Sequence, residues 1–225
     1  MTAKAFRFDV GPHGRTTARV HRAKEPLGVT LVLAHGAGAS QAHPFMVDIS
    51  ERLAARGIDV VTFDFLYMTR GRKLPDRSDV LEATWRAAIA AARARTGLPT
   101  SRMFVGGKSM GGRIASQVVA ADEGLGASGL VFLGYPLHPP RKRLPRRDAH
   151  LPRIALPMLF VQGTRDELGT AAEIRALVRS RLPRARLHVV AGGDHSLALP
   201  KRAGADAQEA ALSGAADAIV GFVRC

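Results

Sequence analysis

Short, unbroken apolar runs alternate along this chain with alanine-rich stretches of helical spacing, and this alternation limits the possible folds more than any other feature. A strand that is apolar at every position must be covered on both faces, and helices between such strands carry the chain back to start the next one in parallel. Ala3–Val10 and Thr17–Ala23 read as an opening hairpin. Val29–Ala34, Asp59–Phe65, Arg102–Val105, Gly129–Gly134, Met158–Gln162 and Arg186–Val190 read as further strands. Helical spacing covers Pro44–Arg56, ended by Gly57, and Asp79–Arg95, capped by Ser78 and ended by Gly97 and Pro99. It also covers Gly111–Ala121, Glu173–Ser180 and Ala207–Val223. The expected fold is α/β, with one mostly parallel sheet and helices on both faces. With no internal repeat and no low-complexity linker, residues 1–225 are expected to form a single domain, and 225 residues, 46% of them hydrophobic, suffice for one core.

In such a sheet the chemistry sits in the loops at the carboxyl ends of the strands. One of these loops reads Gly107-Lys108-Ser109-Met110-Gly111, a G-x-S-x-G segment between a strand and a helix. A serine on so sharp a turn is held in a strained backbone conformation with its hydroxyl exposed, and the flanking glycines let strand and helix pass close together. Gly-Lys-Ser also ends a phosphate-binding loop, but the first glycine of that motif would fall at position 102, which is Arg102.

Serine needs a general base. Among the eight histidines, His195 lies in Gly192-Gly193-Asp194-His195-Ser196, after the last strand, and completes the chain order Ser…Asp…His that accompanies such an elbow. His138 is the rival, since it too follows a strand. Asp166, in Gly163-Thr164-Arg165-Asp166-Glu167, is expected to orient the base, with Glu167 as the fallback; Asp194 reads as a turn residue. The oxyanion of a tetrahedral intermediate needs backbone N–H donors, and Met110 and Ala37 are the candidates. His35 either braces its loop or touches substrate. Lys108, beside the serine on a buried turn, needs a partner; Asp64 is the candidate, the alternative being an amine that reaches water.

The formal charge is +14, which raises the question of an anionic partner. Arginine far outnumbers lysine and asparagine is absent, a pattern of GC-rich codon usage, so the charge is read as serving solubility and no specific nucleic acid is expected. The exception is segment 140–153, whose density of arginine and proline exceeds the rest of the chain. Cys225 is the sole cysteine, so no intramolecular disulfide can form. No signal-like or membrane-spanning run is present, and a cytoplasmic protein is expected.

These residues together resemble the α/β-hydrolase superfamily over nearly the whole chain. Within it the sequence looks most like the group of testis-expressed protein 30 and the hydrolase-like domain of an NSL-complex subunit. The likeness is carried by His35-Gly36-Ala37-Gly38, Asp64-Phe65-Leu66-Tyr67, Gly107–Gly112, Tyr135-Pro136-Leu137-His138, Gly163–Asp166 and Gly192–Ser196. It implies a Ser109–Asp166–His195 triad and says little of the substrate; the expected reaction is hydrolysis of a small ester or thioester through an acyl-enzyme on Ser109, and the basic segment 140–153 raises an anionic substrate as a candidate. His35, Gly38, Tyr67, Lys108 and His138 are the candidate substrate contacts. The resemblance implies no metal and no cofactor. The stretch between the strands at Gly134 and Met158 is too short for a cap domain. The alternative is a non-catalytic interaction module that keeps the fold, since one branch of the group looks like a scaffold. Dienelactone hydrolases are a more distant likeness, with a cysteine where this chain has Ser109.

Overall fold

A computed structural model describes residues 3–96, 102–122, 125–142 and 144–225. Gly97 and Pro99, expected to end a helix, and Arg143 of the basic segment lie outside the described residues. Eight strands form one sheet: β1 (Lys4–Asp9), β2 (Arg15–His21), β3 (Val29–Ala34), β4 (Ile58–Phe63), β5 (Met103–Lys108), β6 (Gly129–Leu133), β7 (Met158–Gly163) and β8 (Ala185–Val190). Their order is β1-β2-β4-β3-β5-β6-β7-β8. The opening hairpin and the β2–β4 pairing are antiparallel, and every pairing from β4 to β8 is parallel.

Six helices cover the sheet: α1 (Pro44–Ala55), α2 (Leu66–Thr69), α3 (Ser78–Thr96), α4 (Met110–Ala121), α5 (Ala171–Arg181) and α6 (Ala205–Arg224). The period of two along the strands divides the core. Val32, Leu130 and Phe132 point to the face packed by α3, α4 and α5, whereas Leu31, Leu33, Val131 and Leu133 point to the face packed by α1 and α6. Each side chain of this size removed from water contributes roughly 1.5–3 kcal/mol. Both faces of the central strands are thus covered, which is why β3 to β7 are buried at every position. Helix α5 begins with a reciprocal cap in which Thr170 accepts from the Glu173 amide and the Glu173 carboxylate accepts from the Thr170 amide.

Between β6 and β7 the described residues make loops, turns and one short 3-10 turn, Leu151–Arg153. The fold carries no cap domain. No helix among the described residues is long and apolar enough to cross a membrane.

Candidate active site

The turn from β5 into α4 leaves no room for side chains on its flanking glycines. A Cβ on Gly107 would lie 2.2 Å from the Ala34 carbonyl oxygen, and one on Gly111 would lie 2.4 Å from the same atom. Glycine at these positions lets β5 and α4 press against the end of β3. Ser109 sits between them at φ 51°, ψ −118°, a conformation that costs a non-glycine residue about 1–3 kcal/mol. Serine at a helix N-cap ordinarily turns its hydroxyl onto the first amides of the helix. Here the Ser109 side chain makes no such bond. Its Oγ lies 2.8 Å from His195 Nε2 instead.

His195 Nδ1 is 2.9 and 2.8 Å from the two carboxylate oxygens of Asp166. A carboxylate only accepts, so the imidazole proton belongs on Nδ1, and Nε2 is left to accept from the serine hydroxyl. Asp166 has no exposed surface. Its Oδ1 accepts from the Leu168 amide at 2.8 Å and its Oδ2 from Gln162 Nε2 at 2.7 Å. Gln162 was not singled out from sequence. It is the polar residue closing an otherwise apolar strand, which is the signal that marks it. Its side chain also accepts from the Tyr135 amide and donates to the Gly169 carbonyl, so it joins the ends of β6 and β7 beneath Asp166. Asp194 behaves as a turn residue, with Oδ1 accepting from the amides of Ser196 and Ala198.

Ser109 opens into a cleft of about 550 Å³. Ala37, Met110, Lys108 and His195 line it. Among the described residues, the Ala37 and Met110 amides bond no other group. Both therefore remain available to an oxygen bound next to the serine.

The other candidate contacts are not among the lining residues. His35 is fully buried; its Nδ1 donates to the Gly36 carbonyl at 2.8 Å and its Nε2 accepts from the Phe65 amide at 3.2 Å. This is the loop brace, and burial lowers its pKa, which keeps the ring neutral. The Tyr67 hydroxyl accepts from the Gly38 amide at 3.3 Å, so these two residues shape the loop behind Ala37. His138 Nε2 lies 2.8 Å from Oε1 of Glu173, a residue of α5.

The expected Lys108–Asp64 pair does not form. Strand β3 lies between β4 and β5, and it separates the two residues. Asp64 instead accepts from the amide and side chain of Gln41. The Lys108 amine does not reach water in the manner of an exposed lysine either: the residue is 8% exposed and its Nζ donates to the His195 carbonyl at 2.7 Å. Burial pulls its pKa from 10.5 to about 8, against the opposing pull of the Asp166 and Asp194 charges. Between these two values the unfolded chain binds the proton that the folded chain releases, so this group's contribution to stability rises with pH across that window. Below about pH 8 the buried ammonium costs about 3 kcal/mol. Lys108→Met is therefore expected to compare more favourably with wild type in urea unfolding at pH 7 than at pH 10.5. An unfolding difference that is the same at both values would show that the amine titrates as it does in water.

A mostly parallel sheet that brings a serine, a histidine and an aspartate together from three strand-end loops defines the α/β-hydrolase class. The chain belongs to the alpha/beta hydrolase domain family, whose model matches residues 28–224. Solved structures agree in fold. An alpha-beta serine hydrolase homologue from Coxiella burnetii is 18% identical with TM-score 0.73, the match covering 99% of this chain and 96% of that one. A serine hydrolase described as being without a lid, from Xanthomonas campestris, is 20% identical with TM-score 0.72, over 97% and 95% of the two chains. The esterase domain of a Rhodothermus marinus protein is 15% identical with TM-score 0.72, over 100% and 98%.

Proposed function

We propose that the protein is a serine hydrolase that cleaves a carboxylic ester or thioester through an acyl-enzyme on Ser109. The observation that carries this reading is the unbroken relay from Ser109 Oγ through His195 to the buried carboxylate of Asp166, with distances of 2.8–2.9 Å. His195 Nε2 takes the hydroxyl proton as Oγ attacks the carbonyl carbon. Asp166 stabilises the imidazolium that results, without itself taking the proton. The carbonyl oxygen becomes an oxyanion, held by the amides of Ala37 and Met110 at the N-terminus of α4, where the helix dipole favours negative charge. The imidazolium then returns its proton to the departing alcohol or thiol. Water, activated by the same histidine, hydrolyses the acyl-serine by the reverse sequence.

The finer likeness to the testis-expressed protein 30 group rests on Lys108 and on Tyr135-Pro136-Leu137-His138, and these residues support the relay from outside it. Lys108 holds the His195 backbone. Tyr135 and His138 shape the loop after β6, through the Gln162 side chain and Glu173 respectively.

A fluorophosphonate probe tests the reading without a known substrate. The expected result is one covalent label per chain, mapped by mass to Ser109 and lost on prior heating. An unlabelled but folded chain would instead make this a binding module on a hydrolase fold.

A further inference from the structure

Two arginines line the cleft beside Ser109, and among the described residues neither is ion-paired with a carboxylate, Glu82 acting on Arg113 only from a distance. Arg113 stands on α4 one turn beyond the serine, its amide donating to the Ser109 carbonyl at 3.1 Å. One turn of helix places the two residues about 6 Å apart along the axis. Arg147 comes from the basic segment that follows β6. Its amide donates to the Leu137 carbonyl at 2.9 Å, and its carbonyl accepts from the Tyr135 hydroxyl at 2.6 Å. Its position is therefore set by the core and not by a loose flap. Both side chains are half-buried and both line the cleft.

Other arginines in the molecule show what this pair lacks. Arg146 holds Asp148, Arg52 holds Glu209 and Arg72 holds Asp76, the one carboxylate among the lining residues. Among the described residues neither Arg113 nor Arg147 ion-pairs with a carboxylate. Arg113 Nη1 donates to the Gln117 amide oxygen at 3.0 Å, while its buried Nε has no partner. Burial lowers the pKa of both guanidinium groups, and the charge of Arg147 lowers that of Arg113 further. Two neighbouring, partly desolvated cations of this kind are costly unless an anion joins them.

We infer that Arg113 and Arg147 form an anion subsite of the cleft, and that the substrate is an ester or thioester bearing a second negative group, a carboxylate or a phosphate. The inference rests on the hydrolase reading above and specifies its substrate class. The planar guanidinium fork donates two parallel hydrogen bonds to such a group, which a single ammonium cannot do. Leu81, Met110 and Pro136 also line the cleft, and their apolar surface suits the body of the substrate.

The test compares matched thioesters. Butyryl and glutaryl N-acetylcysteamine differ by a carboxylate on the acyl arm. Butyryl pantetheine and its 4′-phosphate differ by a phosphate on the leaving arm. One of the two pairs is expected to show kcat/KM at least roughly tenfold higher for the anionic member at low salt, with the advantage shrinking as salt rises. The pair that responds identifies the anion and the arm that carries it. In Arg113→Gln and in Arg147→Gln that ratio is expected to fall toward one. Arg147→Lys, which keeps the charge and the bulk, is expected to restore only part of it, and it serves if a glutamine variant does not fold. Hydrolysis of the neutral thioesters with ratios near one in wild type, unchanged in the variants, would overturn the subsite and leave the hydrolase reading intact. Absence of both hydrolysis and fluorophosphonate labelling would overturn the two together.

Discussion

Ser109→Ala is expected to lower kcat/KM on a short p-nitrophenyl ester by at least roughly a thousandfold, and His195→Ala by nearly as much. The double variant is expected to be little worse than either one, because serine and histidine act as one unit and removing either disables the other. Kinetics of the three variants, with circular dichroism to confirm folding, check this. If Ser109→Ala keeps wild-type rates, the relay at Ser109 is not the catalyst, whatever the geometry. Asp166 differs from the other two. Alanine there strands the Gln162 and Leu168 donors that now meet its carboxylate, so that variant is expected to lose stability as well as rate.

The second large effect concerns folding. Gly106→Ala is expected to destabilise the protein by more than about 4 kcal/mol, enough to leave it unfolded or insoluble on expression. A Cβ there would lie 1.8 Å from the Val131 carbonyl oxygen, within the pairing of β5 with β6. That oxygen is backbone and cannot swing aside. Gly214→Ala provides the contrast. Position 214 lies in α6 with open space where the methyl would go, and helix propensity alone is expected to raise stability there by up to about 1 kcal/mol. Urea unfolding of both variants against wild type decides the matter. Equal effects at the two glycines would show that the β5–β6 contact is softer than its geometry implies.

The sheet was legible in the sequence because strands covered on both faces have no reason to alternate. Val29–Ala34 matches its strand residue for residue, and most other elements differ only at their ends. Helix α2 was missed because Leu66-Tyr67-Met68-Thr69 is a single turn, too short for any period to register. That β2 would pair with β4 rather than with β3 had no local signal at all. At the site, Ser109, Asp166 and His195 could be grouped because each follows a different strand, and the ends of parallel strands converge. Lys108 shows where that reasoning stops. Strand-end placement allowed Asp64 as its partner, but only the spatial order of strands shows that β3 intervenes. The actual acceptor is a backbone carbonyl, and every residue carries one, so no side-chain pattern could single out His195 for that role. Gln162 was hidden for a related reason: its importance lies in four bonds, two of them to the backbone of Tyr135, which is distant in sequence, and one each to Asp166 and Gly169 in the loop that follows it.

The short connection between β6 and β7 has a consequence for what becomes of an acyl group on Ser109. Enzymes that hand such a group to a chosen acceptor must keep solvent from the carbonyl until the acceptor arrives, and a closing lid is the usual means. Among the described residues this chain has loops, turns and one 3-10 turn in that place. An acyl group carried on Ser109 would therefore meet bulk water, which is at vast molar excess over any metabolite. On the proposed hydrolase reading, an acyl-serine left uncovered in this way is expected to be hydrolysed rather than handed to a chosen acceptor. On that reading no lid has to open for product to leave, and discrimination among substrates rests on the cleft that Ser109 opens into.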